Sequence, residues 1–69
     1  MIAGYGLILA SSVGERDGMA LELTALDGER VAEVFEDGET GARTFTVFGE
    51  QRVPIAAIEW LLNEARDRL

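Results

Sequence analysis

Two Asp-Gly-Glu triplets, at residues 27–29 and 37–39, divide the middle of the sequence into segments of strand length. The segment before the first triplet has an apolar residue at every second position from Met19 to Ala25, which is typical of a strand with one buried face. Asp-Gly favours a tight type I′ turn, because both central residues of that turn need a positive φ. The triplets therefore predict the corners of a small antiparallel sheet.

A two-residue turn at Asp27-Gly28 would fix the register of the first hairpin. It predicts the cross-strand pairs Leu26–Glu29, Leu23–Ala32, Glu22–Glu33 and Leu21–Val34. The second corner, at 38–41, is a loop with glycine at both ends. It predicts the pairs Asp37–Ala42, Glu36–Arg43, Val34–Phe45 and Ala32–Val47. One sheet face is then apolar, and the other carries Glu22, Thr24, Glu33, Thr44 and Thr46 together with Val31, Phe35 and Phe48.

The two ends of the chain complete the predicted fold. Residues 2–12 predict a first strand, weakened by its glycines, and residues 13–18 predict a turn. Pro54 suits the first position of a helix that runs to about Arg68. The apolar stripe of this helix consists of Ile55, Ile58, Leu62, Ala65 and Leu69, with Leu61 at its edge. We expect a single α+β domain over residues 1–69, a four-stranded antiparallel meander followed by one C-terminal helix packed on one sheet face.

Composition limits the chemistry and the ways of stabilising the domain. The chain has 69 residues, no Cys and no His, which excludes disulfides, thiol chemistry and the usual zinc ligands. Oligomerisation is the remaining means of supplementing a small core. The net charge of −7 disfavours binding to phosphate backbones. The apolar N-terminal stretch is too short to span a bilayer and lacks a preceding basic region, so the expected location is cytoplasmic, without membrane association.

Metal, phosphate and catalytic sites are not predicted. Successive carboxylates along a strand point to opposite faces, so the acidic corners do not converge on a cation. Gly4-Tyr5-Gly6 is not followed by a helix, as a phosphate-binding loop requires. Ser11 and Ser12 have no His or Lys to activate them. The opposed Glu22 and Glu33 are the one carboxylate pair capable of acid–base chemistry. We expect no cofactor, no metal and no enzymatic activity.

Trp60 is the residue that most suggests a protein interface. It lies nearly opposite the predicted apolar stripe of the helix, so it would face water in an isolated chain. Trp is a favoured interface anchor, and small neighbours allow close approach of a second chain. The predicted homodimer interface comprises Trp60, Ala56, Ala57, Asn63, Val31, Phe35 and Phe48.

Over the second half of the chain, the motifs at Ala32–Phe35, Phe45–Phe48, Val53-Pro54 and Glu59–Leu61 resemble those of small bacterial proteins of unassigned function. That resemblance implies the same layout of strands and helix and no particular activity. The order of four strands and a helix is also similar, at the level of fold, to dimeric single-stranded-DNA-binding coactivator domains and the plant Whirly proteins. Those proteins use basic sheet faces and aromatic stacking.

Two main functional hypotheses follow, and a small-ligand pocket or enzyme between sheet and helix is the least supported third. The first is a small, acidic, non-enzymatic homodimeric interaction module, with a further protein partner left open. The alternative is a single-stranded nucleic-acid-binding domain, in which Phe35 and Phe48 stack on bases and Arg16, Arg30, Arg43 and Arg52 meet phosphates. The absence of Lys and the two glutamates on the presumed binding face count against this alternative.

Overall fold

The computed structural model describes residues 2–12 and 17–69. The chain forms strands β1 (Tyr5–Ser12), β2 (Gly18–Ala25), β3 (Arg30–Asp37) and β4 (Arg43–Val47), followed by helix α1 (Ile55–Arg68). The strands make one antiparallel sheet in the order β1-β2-β3-β4, and α1 packs against β2 and β3. The predicted α+β meander with a C-terminal helix is confirmed.

The first predicted strand and turn need smaller corrections. β1 begins at Tyr5 rather than at Ile2, because residues 2–5 form a turn in which Tyr5 N donates a hydrogen bond to Ile2 O at 3.2 Å. Gly4 has a φ of +86°, which ends the extended backbone on that side. Most of the turn predicted at 13–18 lies outside the described residues, and Gly18 already belongs to β2.

The β2–β3 hairpin keeps the predicted register from Leu23 to Leu21, but its turn is different and the predicted pair Leu26–Glu29 does not form. Ala25 N donates to Glu29 O across a three-residue loop, and Gly28 N donates to Ala25 O. Among the described residues only glycines have a positive φ, so Asp27 does not meet the requirement of a type I′ turn. Leu23 pairs with Ala32 but Thr24 pairs with Arg30, so Val31 is an extra residue on β3. This bulge offsets the longer loop and restores the predicted pairs Leu21–Val34, Glu22–Glu33 and Leu23–Ala32.

The β3–β4 hairpin forms as predicted. Asp37 N donates to Ala42 O at 2.9 Å, and Gly41 N donates to Asp37 O at 2.9 Å. Gly41 has a φ of +74°, which explains the glycine at this end of the loop. The observed pairs include Glu36–Arg43, Val34–Phe45 and Ala32–Val47.

The core lies between the sheet and α1. Its buried members are Leu21, Leu23, Val31, Ala32, Val34, Ala57, Leu61 and Ala65. Val31 was predicted on the other sheet face and in the interface, and both predictions are wrong for the isolated chain. It is the extra residue of the bulge, where the alternation of side chains between the two faces breaks down.

The helix is rotated about its axis relative to the prediction. Ala57, Leu61 and Ala65 are buried, and they lie within roughly 80° of one another on a helical wheel. Of the predicted stripe, only Ala65 is fully buried, whereas Ile55 and Leu62 are exposed. Two alanines on the buried side let the helix backbone approach the sheet closely, so this side faces the sheet in place of the bulkier stripe.

Trp60 occupies the flank of α1 opposite to Leu62. Its side chain is half-buried and packs against the core, as do Tyr5 and Leu7 of β1. The expectation that Trp60 faces water in an isolated chain is therefore wrong, because it depended on the incorrect helix rotation. The same rotation buries Ala57 in the core, where it is inaccessible to a second chain, while Ala56 and Asn63 are exposed.

The second face of the sheet is also less open than predicted. Phe35 is buried, and its Cζ would lie 2.8 Å from a Cβ placed on Gly18. Phe48 is half-buried, and the Arg30 guanidinium lies 4.8 Å from its ring centre. These aromatic side chains therefore do not form the surplus exposed surface that the alternation predicted.

Candidate interaction surface

A continuous apolar surface remains open on the β4 side of the molecule. Four large side chains form it, and we call it the open side: Phe45 (45% exposed), Val47 (40%), Leu62 (42%) and Ile55 (75%). Phe45 and Val47 are two residues apart on β4 and point toward the helix side, while Ile55 and Leu62 are seven residues apart on one flank of α1. Ile55 and Leu62 of the predicted apolar stripe are therefore uncovered by the chain's own sheet, whereas Ile58 and Leu69 pack against the core.

The side chains of β4 stay uncovered because a single helix is narrower than the four-stranded sheet. Neighbouring strands lie about 4.8 Å apart, and a helix with its side chains is about 10–12 Å across. One helix therefore covers roughly two strands of four. Because α1 packs against β2 and β3, the outer strands are covered less, and on β4 both Phe45 and Val47 stay exposed. The alternation in the sequence placed Phe45 and Val47 on the helix-facing side correctly, but it did not show that this side is too wide to be covered.

A cleft of about 280 Å³ lies between β4 and α1. Its lining residues are Val34, Arg43, Thr44, Phe45, Leu62, Ala65 and Arg66. The lining combines apolar side chains with two guanidinium groups and includes no carboxylate, in a chain whose net charge is −7. The cleft is thus a largely apolar site bordered by Arg66 and by the Arg43–Glu36 ion pair, a composition suited to protein contacts.

The two arginines of the cleft have different surroundings. Arg43 Nε donates to Glu36 Oε2 at 2.9 Å on the partly exposed surface. Within the described parts of the chain, Arg66 makes no ion pair inside 4.0 Å, whereas Arg68 lies 4.0 Å from Glu64. Exposed pairs of this kind contribute little to stability, so the charges of the open side remain adaptable to a partner.

Strand β4 also presents a free backbone edge. Asp37 N donates to Ala42 O, and Phe48 N donates to Val31 O. In an antiparallel pair the residues alternate between hydrogen-bonded and non-bonded positions, so the even-numbered residues of β4 bond to β3. The N–H and C=O groups of Arg43, Phe45 and Val47 consequently point away from the sheet. Such an edge is a template for a further strand.

The other edge of the sheet, β1, also carries exposed apolar side chains, at Ile8 and Leu9. On this side, however, Tyr5, Leu7 and Trp60 pack against the core. The helix-facing side of β1 is therefore partly covered by the chain's own side chains, although Leu9, opposite the core residue Leu21, stays 40% exposed.

The acidic corners use their carboxylates to shape turns. Asp27 Oδ1 accepts a hydrogen bond from Glu29 N at 2.9 Å. Asp37 Oδ1 accepts from Glu39 N at 2.8 Å and from Thr40 N at 3.0 Å. Across residues 2–12 and 17–69, no three acidic side chains come together as a cation site would require.

These hydrogen bonds predict a pH-dependent contribution from Asp37. The Thr40 and Glu39 N–H groups hold the pKa of its carboxyl below the usual 3.8. A carboxyl group whose pKa is lower in the folded state stabilises the fold at pH values above its pKa in the unfolded state. This stabilisation is lost as the pH falls through the pKa of the folded state. Asp37→Asn should therefore lower the melting temperature near neutral pH, and the difference from wild type should shrink below about pH 4.

The measurement is thermal unfolding followed by circular dichroism over a pH series. Asp27→Asn is the matched control, because Asp27 accepts one backbone hydrogen bond where Asp37 accepts two. If the difference in melting temperature between the wild type and Asp37→Asn stays constant from neutral to strongly acidic pH, the Asp37 carboxylate does not contribute as described.

The predicted carboxylate pair and the predicted nucleic-acid surface have clear positions. Glu22 and Glu33 are opposite each other as predicted. Glu22 lies 3.3 Å from Arg30, and Glu33 is buried.

On the predicted nucleic-acid surface, Phe35 is buried, so it offers no open ring for stacking. Arg30 and Arg43 are engaged in ion pairs, Arg52 is exposed, and Arg16 lies outside the described residues.

The fold and the surface define an α+β domain with one covered flank and one open flank. No protein-family model, curated protein or solved structure matches the chain. The resemblance of its second half to small bacterial proteins therefore assigns no family. Within the described residues, no helix is long and apolar enough to cross a membrane.

Proposed function

We propose that this protein is a non-enzymatic interaction module that works as a homodimer, with the open side as its interface. The observation that carries the proposal is the exposure of Phe45, Val47, Ile55 and Leu62 on β4 and one flank of α1, with Phe45 and Leu62 lining one cleft beside a free strand edge. Contiguous exposed apolar surface of this kind marks interaction sites on soluble proteins.

A second copy of the chain suits this surface for two reasons. The first is size, since a domain of 69 residues gains little from its own core and benefits from an interface. A typical stable interface buries about 800 Å² per partner, roughly a sixth of the 4607 Å² accessible surface. The second reason is charge. Two copies with a net charge of −7 repel each other, and the cleft at the open side is lined without carboxylates.

This proposal replaces the interface predicted around Trp60. Trp60 packs against the core, and Ala57, Val31 and Phe35 are buried within the chain. These side chains are not available to a partner without rearrangement of the domain. A nucleic-acid function finds no comparable support, because Phe35 is buried and Arg30 and Arg43 are engaged in ion pairs.

The test is the substitution Leu62→Glu. A carboxylate at the centre of an apolar interface loses hydration without gaining a partner, so the variant should sediment as a monomer over concentrations at which the wild type is a dimer. Leu62 is already 42% exposed, and the folded monomer should therefore persist, with its circular dichroism retained.

Asn63→Glu is the matched control, since it adds the same charge at the adjacent helix position on the flank away from β4. It should leave the dimer intact. Dissociation by Asn63→Glu but not by Leu62→Glu would instead support the interface around Trp60. A wild-type monomer at high micromolar concentration would overturn the homodimer altogether.

A further inference from the structure

We infer that the homodimer forms by antiparallel pairing of β4 with β4 of the second copy, about a two-fold axis at Phe45. The two four-stranded sheets then join into one continuous sheet of eight strands. This inference rests on the proposed homodimer and specifies which atoms make it.

The backbone pattern selects the pairing partners. Arg43, Phe45 and Val47 point their N–H and C=O groups away from β3. A second β4 strand has the same three residues pointing outward, so hydrogen-bonded pairs form only between members of this set. The edge is therefore self-complementary, which is what a two-fold interface requires.

Three two-fold registers satisfy this condition with more than one bonded pair, with the axis at Thr44, Phe45 or Thr46. The axis at Phe45 pairs Phe45 with its symmetry mate and pairs Arg43 with Val47 twice. Each such pair exchanges two hydrogen bonds, giving about six in total. A shift of the axis to either threonine leaves two pairs within the strand and about four bonds. The central register therefore uses the whole of β4.

The side chains favour the same register. On the helix side, the two Phe45 rings are directly opposite each other, and aromatic cross-strand pairs are favourable. Arg43 faces the aliphatic Val47 of the second copy, so no like charges meet across the join. On the other side of the sheet, Thr44 faces Thr46 of the second copy, which is also a favourable pair. The open sides of the two copies become neighbours above the joined strands.

β4 is the better edge for this pairing because its apolar side is uncovered. On the β1 side, Tyr5, Leu7 and Trp60 pack against the core, and of the helix-facing residues Leu9 stays exposed. Joining two copies through β1 would leave Phe45, Val47 and Leu62 exposed. Joining them through β4 brings these residues of both copies together.

The register is tested with single cysteines, which this cysteine-free chain makes unambiguous. Thr44→Cys and Thr46→Cys replace exposed residues and leave the backbone and Phe45 unchanged. In the inferred register, position 44 of one copy and position 46 of the other form a non-hydrogen-bonded pair with Cα atoms about 4.5 Å apart. This separation is within the range of disulfides.

One of the two variants is isotopically labelled, and the two are mixed in equal amounts. The mixture is oxidised mildly, and mass spectrometry then measures the amount of each cross-linked dimer. Disulfides between one Thr44→Cys chain and one Thr46→Cys chain should exceed those between like chains by about tenfold, since the diagonal distance between like positions is about 7–8 Å. Each variant alone should cross-link poorly.

Other outcomes would change the register, exclude the β4 edge or exclude the dimer. Predominant Thr44→Cys homodimers would move the axis to Thr44, and predominant Thr46→Cys homodimers would move it to Thr46. A dimer in sedimentation that gives no cross-linking at either position would overturn pairing through β4 while leaving the homodimer in place. A monomer in sedimentation would overturn the proposed function itself.

Discussion

Leu61→Ala is expected to lower the stability of the protein more than Leu62→Ala or Gly18→Ala does. Leu61 is fully buried at the centre of the helix–sheet contact, and replacing such a leucine by alanine costs about 2–5 kcal/mol. A domain of this length has a total stability of roughly 3–10 kcal/mol. The single substitution therefore removes a large share of the free energy of unfolding.

Leu62→Ala is the comparison that makes this result informative about the helix. It makes the same chemical change one residue later, on a side chain that is 42% exposed, and it should cost under about 1 kcal/mol in the monomer. Urea unfolding followed by the fluorescence of Trp60, the single tryptophan, measures both variants. Data extrapolated to low protein concentration remove any contribution of dimerisation. A larger loss for Leu62→Ala than for Leu61→Ala would contradict the helix rotation described above.

Gly18→Ala is expected to have the second large effect. A Cβ at this position would overlap the Glu36 carbonyl oxygen and would lie 2.8 Å from Phe35 Cζ. The carbonyl belongs to the backbone of the adjacent strand, so it does not move away without disturbing the β2–β3 ladder. Overpacking of this kind typically costs about 1–3 kcal/mol and occasionally more. We expect a marked fall in the melting temperature.

Gly6→Ala is the matched control, because Gly6 is also a strand glycine without a positive φ. Its added Cβ would meet Thr24 Oγ1 at 3.5 Å, which is ordinary contact. This variant should be neutral or slightly more stable, since alanine reduces the entropy of the unfolded chain. Equal tolerance of both substitutions in thermal unfolding would show that β2 and β3 are farther apart at Gly18 than the structure indicates.

Local patterns were sufficient to predict the strands, the helix and most of the register. Alternation has a period of two and helical spacing a period of 3.6, so short runs of sequence predict β2, β3, β4 and α1. The Gly38–Gly41 corner predicts its own loop length, and the observed β3–β4 pairs agree with it. In the first hairpin the pair Leu26–Glu29 does not form, and the other three predicted pairs hold only because a longer loop and the Val31 bulge compensate each other.

The sequence by itself thus determined the α+β meander, the acidic turns and the chemistry that a chain without Cys or His lacks. The tertiary structure decided which helix side is buried, because two alanines allow a closer approach to the sheet than the bulkier Ile55 and Leu62. It also decided which apolar residues remain exposed, because one helix covers about two strands and leaves β4 open. Hydrophobicity is a property of residues, whereas coverage depends on the widths and positions of whole elements. The open side could therefore be located only in the folded chain.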